Sequence, residues 1–145
     1  MLFSNLQNDR SLPMSLEFIR IRSYVNDTST FEKSDKLEIS GLSDLTQLKQ
    51  KHLLIIEDII DTGATMISLK RELEQYHPKS IRIVSLFTKR RPDKKCLLKP
   101  DYVGFEVPDH FIVGYALDYN EYFRDLEHIC IMKESGIEKY RIIEE

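Results

Sequence analysis

The sequence has little of what would tie it to an oxidised compartment, a membrane or a polyanion. It holds 2 cysteines in 145 residues, Cys96 and Cys130, far apart and without metal-site spacing. Two such thiols fit a reduced compartment and argue against a disulfide scaffold. The 4 histidines, His52, His77, His110 and His128, form no ligand pattern either. No apolar run approaches the ~20 residues that a membrane-spanning helix needs. The opening residues, MLFSNLQNDRSLP, lack the basic-then-apolar order of a signal peptide. Surplus basic charge is missing as well: the formal net charge is −3, which gives no support for a nucleic-acid surface. Repeats and low-complexity tracts are absent. The expectation left by these absences is a globular cytoplasmic protein with neither a membrane nor a nucleic-acid partner.

What is present fits one domain spanning 1–145. A chain of 145 residues buries about 68–70% of its unfolded surface. Its 41% hydrophobic and 31% charged content is ordinary for a globular protein. Residues 15–24, SLEFIRIRSY, set Leu16, Phe18, Ile19 and Ile21 among charged partners and predict a strand. Residues 25–36, VNDTSTFEKSDK, are polar and predict a mobile loop. LEIS (37–40) would be the returning strand. HLLIIED (52–58) is apolar without alternation, the pattern of a strand covered on both faces in a parallel sheet.

From Asp61 the period changes. Met66, Leu69, Leu73 and Tyr76 recur at helical spacing, with Asp61 or Thr62 as the cap. Pro78 would end the helix. SIRIVSLFTK (80–89) predicts a second strand, followed by a basic turn over 89–95. Short strands are expected over 101–107, 111–117 and 128–133, with a polar, aromatic loop over 118–126 and a surface tail. The alternation of strand and helix predicts an α/β sheet.

The stretch LIIEDIIDTGAT (54–65) places Glu57, Asp58 and Asp61 where a buried strand meets a helix N-terminus. Ligands bind at the carboxyl ends of strands in open α/β sheets. The amides of Gly63, Ala64 and Thr65, with the hydroxyls of Thr62 and Thr65, make a small anion cup favoured by the helix dipole. Gly63 lets the backbone come close to a ligand. The carboxylates cannot bind phosphate, but Glu57 and Asp58 can accept from vicinal hydroxyls or hold Mg²⁺. The combination suits a sugar phosphate. The plain alternative is a capped helix beside solvated acids.

LLIIEDIIDTGAT resembles the ribose-phosphate motif of the type I phosphoribosyltransferases. PMSLEFIRIRSY (13–24), SLFTKRRP (85–92) and VGFEVPDHFIVGYALDYNEYFRDL (103–126) are similar to the hypoxanthine-guanine branch of that family. The resemblance implies the type I phosphoribosyltransferase fold, a central mainly parallel sheet flanked by helices. It also implies Mg²⁺-dependent transfer from phosphoribosyl pyrophosphate to N9 of hypoxanthine or guanine, giving IMP or GMP. On this chain it assigns Glu57 and Asp58 to the ribose hydroxyls, Asp61 to proton abstraction, and Thr62, Gly63, Ala64 and Thr65 to the 5-phosphate. Lys89 would meet the purine 6-oxygen, Phe111 would stack on the ring, and Ile112 would bind the base through its backbone. Asp118 would bind Mg²⁺ with Glu57 and Asp58, Arg124 would bind pyrophosphate, and Ser23 and Tyr24 would lie on a mobile lid. A homodimer or homotetramer is implied for a full-length form.

Taken singly, each residue has an ordinary alternative: a solvated Lys89, a core Phe111, an Asp118–Arg124 surface salt bridge worth ~0–1 kcal/mol. Taken as an ordered set they fit one chemistry. An unrelated Mg²⁺ phosphohydrolase using the three acids would not account for residues 111–124. A noncatalytic nucleotide- or partner-binding form of the same fold stays open. Close relatives often carry Lys where this chain has Ala64, and a basic residue where it has Asp93. Against the family, the sequence starts late. An upstream core strand and a Lys-Gly pyrophosphate loop have no counterpart in residues 1–12, so the expectation is an N-terminally truncated member with an open apolar sheet face.

Overall fold

A computed structural model describes residues 13–23, 37–41, 44–91 and 97–142. A ribbon of two antiparallel strands, β1 (Arg20–Ser23) and β2 (Leu37–Ser40), comes first. A 3-10 helix, Leu45–Leu48, follows. Then come β3 (His52–Ile60), helix α1 (Ala64–Glu74), β4 (Ser80–Arg90) and β5 (Tyr102–Pro108). A second ribbon pairs β6 (Ile112–Val113) with β7 (Cys130–Ile131), and α2 (Glu134–Lys139) closes the order. The architecture is α/β. β3, β4 and β5 form a parallel sheet in that order, so their carboxyl ends share one edge.

The helix forms where the apolar period predicts. Met66, Leu69 and Leu73 are its buried stripe, and they meet Ile60 of β3 and Ile83 of β4. Leu53, Ile55 and Ile81 of the sheet, Ile21 and Ile39 of the first ribbon, and Ile19 just before it pack around them. Full burial of one such leucine contributes about 1.5–3 kcal/mol. A second cluster, Phe87, Ile112 and Leu117 with Ile59, Leu86, Val107 and Ile129, fastens the second ribbon to the sheet. It sets residues 111–124 near the carboxyl edge of β4 and β5.

The structure corrects several expectations. β3 is not covered on both faces: its residues alternate in burial, and Leu54 and Ile56 are 46% and 45% exposed. Both α1 and the first ribbon pack on the Leu53–Ile55 side, and successive side chains of a strand point to opposite faces. Tyr102, Val103 and Phe105 of β5 are exposed as well. The strands expected over 15–24, 111–117 and 128–133 contract to 20–23, 112–113 and 130–131. The 3-10 helix, with Asp44 accepting from Thr46 N at 2.9 Å, and α2 were not foreseen. The loop expected over 25–36, and Tyr24, lie outside the described residues, as do 92–96 of the basic turn. Among the described residues no helix is long and apolar enough to cross a membrane.

Candidate active site

The strand β3 delivers two neighbouring acids with different surroundings. Glu57 lies on the helix-facing parity of Leu53 and Ile55 and is half-buried, while Asp58 is exposed. Burial first, then the charge of Asp58 and a hydrogen bond with it, push the Glu57 carboxyl up to about 7. Asp58 Oδ1 accepts from the Ile59 amide at 2.6 Å. Among the described residues no basic side chain pairs with Glu57 or Asp58. Two adjacent carboxylates suit vicinal hydroxyl donors, or a hard cation that relieves the repulsion Glu57 feels from Asp58. The pair therefore fits Mg²⁺, which binds through one or two carboxylates and keeps several waters.

After Ile60 the chain turns into the helix. The cap is Gly63, with φ +81°, and not Asp61 or Thr62 as expected. Thr62 contributes only a long bond, its Oγ1 accepting from Ala64 N at 3.3 Å. The left-handed backbone is open to glycine at no steric cost. A Cβ at Gly63 would also lie 2.8 Å from Leu98 Cβ. The carbonyl of Thr62 accepts from Leu97 N at 2.8 Å, which ties the turn to the segment entering β5. Ala64 and Thr65 stay exposed at the helix start. The expected anion cup would lie at the start of this 11-residue helix, whose first turn is accessible.

Asp61 is free from capping because it is engaged elsewhere. Ile60 pairs with Thr88, so the next residues, Asp61 and Lys89, meet at the end of the ladder. Lys89 Nζ donates to Asp61 Oδ2 at 3.0 Å, and Arg91 Nη1 donates to Asp61 Oδ1 at 2.5 Å. Partial burial pushes the Asp61 carboxyl up, but the bonds and charges of Lys89 and Arg91 outweigh it and hold the carboxyl below its ordinary value. Arg91 also lies 3.8 Å from Asp109. Sequence reasoning missed Arg91 and Asp109. The signal is the register: β4 pairs Arg90 with Pro108, which brings Arg91 beside Asp109 once the pairing is known.

The remaining expected residues sit on residues 111–124. Phe111 is 40% exposed, with its ring edge-to-face with Tyr119 at 5.2 Å. Ile112 is buried and pairs with Ile131. The turn beyond is strained: Tyr115, Ala116, Asn120, Glu121 and Phe123 all have positive φ, at about 1–3 kcal/mol each. Local bonds hold it, including Tyr115 N to Leu126 O at 2.7 Å. Asn120 Nδ2 donates to Tyr140 O at 2.7 Å, and the Tyr140 ring lies 4.8 Å from Tyr122 and 4.9 Å from Phe123. The tail read as plain surface is thus a brace for this turn.

Asp118 and Arg124 are joined to each other. Arg124 Nη2 lies 2.9 Å from Asp118 Oδ1, and Arg124 Nη1 donates to the Ala116 carbonyl at 2.9 Å. Asp118 Oδ2 accepts from Glu121 N at 2.7 Å. Among the described residues no three His, Cys, Asp or Glu side chains gather as a metal site. The expected three-carboxylate set of Glu57, Asp58 and Asp118 is therefore not assembled, because Asp118 belongs to its own turn. Ser23 ends β1 opposite Leu37.

Residues 7–120 match the family described as Phosphoribosyl transferase domain. Hypoxanthine-guanine phosphoribosyltransferase of Homo sapiens is 52% identical over 137 residues, covering 94% of this chain and 61% of that protein. The enzyme of that name from Mus musculus is 50% identical with the same coverage. The chain thus spans 61% of the length of these curated relatives. Among solved structures, hypoxanthine-guanine phosphoribosyltransferase from Schistosoma mansoni in complex with IMP superposes with a TM-score of 0.64 at 48% identity, covering 70% of this chain and 50% of that one. A hypoxanthine phosphoribosyltransferase from Staphylococcus aureus superposes with a TM-score of 0.73 at 33% identity, covering 97% and 72%.

Proposed function

This chain belongs to the phosphoribosyltransferase family, and from that membership we propose that it acts in purine salvage as a hypoxanthine-guanine phosphoribosyltransferase. The reaction moves the 5-phosphoribosyl group from phosphoribosyl pyrophosphate to N9 of hypoxanthine or guanine. IMP or GMP and pyrophosphate are the products. The observation that carries the reading is the meeting of Asp61 and Lys89 at the carboxyl edge of β3 and β4, between the Glu57–Asp58 pair and the start of α1. Relatives that carry this name support it, and the Schistosoma mansoni relative holds IMP.

Each residue then has work that its chemistry suits. Glu57 and Asp58 accept from the ribose hydroxyls. The amides of Ala64 and Thr65 and the hydroxyls of Thr62 and Thr65 hold the 5-phosphate at the positive end of α1. Lys89 leaves Asp61 to donate to the purine 6-oxygen, which frees one Asp61 oxygen for a proton from the purine ring. Phe111 offers its exposed ring to the base, and the Ile112 backbone meets the base edge. Arg124, released from Asp118, counters the charge of departing pyrophosphate. Glu57 and Asp58 would hold Mg²⁺, which would neutralise pyrophosphate charge when bound.

The test is pyrophosphate release by the purified chain with hypoxanthine, guanine or adenine, alongside calorimetric titration with IMP. Release with the two 6-oxo purines and not with adenine is expected, and Asp61→Asn should lower it by about 10²–10⁴-fold while IMP still binds. No IMP binding and no release would overturn the proposal. A second reading, nucleotide binding without turnover, is favoured by one observation: both Asp61 oxygens are engaged by cations. IMP binding without release would select it.

A further inference from the structure

We propose that Arg91 is a positioning residue for Asp61, holding one carboxylate oxygen while Lys89 holds the other and so governing how readily Asp61 accepts a proton. The inference rests on the reading of Asp61 as the proton acceptor of a purine site. Its geometry stands on its own. Arg91 Nη1 is 2.5 Å from Asp61 Oδ1, and Lys89 Nζ is 3.0 Å from Oδ2. The Arg91 side chain is largely withdrawn from solvent, at 19% exposure, so its charge is poorly screened.

The two cations cannot have the same task. In the proposed reaction Lys89 turns to the purine oxygen and stops neutralising Asp61. Arg91 is then the counter-charge that stays. A carboxylate held by a guanidinium keeps its orientation, and its proton affinity drops with the charge beside it. For proton transfer, a purine N–H bond breaks as an Asp61 O–H bond forms, and the nitrogen keeps the electron pair. An oxygen bound to Arg91 resists that step, whereas the oxygen released by Lys89 does not. Arg91 thereby selects which oxygen takes the proton.

Asp109 completes the device. It lies 3.8 Å from Arg91 Nη1, on the segment that follows β5. When Asp61 becomes neutral, the guanidinium still has a carboxylate to lean on, so its charge is never left uncompensated in a partly buried place. Among the described residues the charged groups facing Asp61 are Lys89 and Arg91, from β4 and its end, and Asp109 stands behind Arg91. Gly63 and the other neighbours on the turn carry no charge.

The experiment follows the Asp61 carboxyl by carbon NMR over pH in the wild-type chain, Arg91→Gln and Arg91→Lys, with Asp61→Asn to identify the signal. An opposite charge within ~4–6 Å lowers a carboxyl midpoint by about 1–3 units. Arg91→Gln should therefore raise the Asp61 midpoint by about one unit or more, and Arg91→Lys should restore most of the wild-type value. The acid limb of pyrophosphate release should move up with it. If Arg91→Gln folds poorly in a thermal melt, Arg91→Met takes its place. A midpoint that moves by less than ~0.3 unit, against that expected ~1–3, overturns the proposal. A wild-type chain that neither binds IMP nor releases pyrophosphate would overturn the purine reading instead, while the midpoint shift in Arg91→Gln would persist.

Discussion

Lys89 Nζ and Asp61 Oδ2 lie 3.0 Å apart, and the lysine is the deeper of the two, its side chain 12% exposed against 46% for the acid. A withdrawn ammonium needs a partner. In the proposed cycle that partner changes from a carboxylate to the purine 6-oxygen. Lys89→Gln should therefore affect base choice more than folding. The glutamine amide can donate to an oxo group or accept from an amino group, so adenine should cease to be rejected. Losing a charged donor, about 1.5–3 kcal/mol, should reduce the hypoxanthine-to-adenine ratio of kcat/KM roughly 10–100-fold. Steady-state rates with both bases measure it, and an unchanged ratio would remove Lys89 from base recognition.

Gly63 carries two constraints at once, a φ of +81° and a neighbour, Leu98, that a Cβ would meet at 2.8 Å. Gly63→Ala should destabilise the chain by more than the ~1–2 kcal/mol of the left-handed backbone alone, because the turn must also move off Leu98. IMP affinity should drop in parallel, since the same turn aims the first amides of α1. Denaturant titration and calorimetry on one preparation would report both. Full retention of affinity would show that the cup does not bind phosphate.

Leu69 is the most enclosed side chain of the helix, at 0% exposure, and links α1 to β3 and β4. Leu69→Ala should cost about 2–5 kcal/mol. The cost should appear as a lower denaturant midpoint with an unchanged slope. A cost under ~1 kcal/mol would mean that α1 is held by something other than this stripe.

Asp101 joins two strands at their amino ends. It accepts from Arg82 and from the Ile83 amide, the latter at 2.9 Å. The Arg82 bond first, then the Ile83 amide, hold its carboxyl below the ordinary value of 3.8. A carboxyl whose pKa is lower in the folded chain stabilises it fully above the unfolded pKa. That stability is lost as pH falls through the folded value. Asp101→Asn should thus melt at a lower temperature than wild type at pH 7, and the gap should close in strong acid. Equal melts at both ends of the range would show that the pair is solvent-screened and without effect.

How much of this was legible beforehand follows from the range of each interaction. The strand–helix–strand unit from His52 to Arg90 could be read from local pattern. An apolar run, a helical stripe at Met66, Leu69 and Leu73, and a turn at Pro78 act within a few residues. The acids Glu57, Asp58 and Asp61 could be assigned to the strand-to-helix junction for the same reason. The Asp61 contact with Arg91 spans 30 positions and depends on the register in which β3 and β4 pair. A one-residue slip would send those side chains to the other face. No local pattern records that register. It is decided when the sheet buries one face against α1 and leaves Leu54 and Ile56 outside.

The sequence by itself therefore determined the acid-bearing turn, the helix behind it and the chemistry those residue types can perform. The tertiary structure alone decided who partners whom: Gly63 as the cap, Asp61 between Lys89 and Arg91, Asp118 with Arg124, Tyr140 under the strained turn. Local conformation depends on neighbours in the chain. Ion pairs and aromatic contacts depend on the register and packing that bring distant segments to one edge.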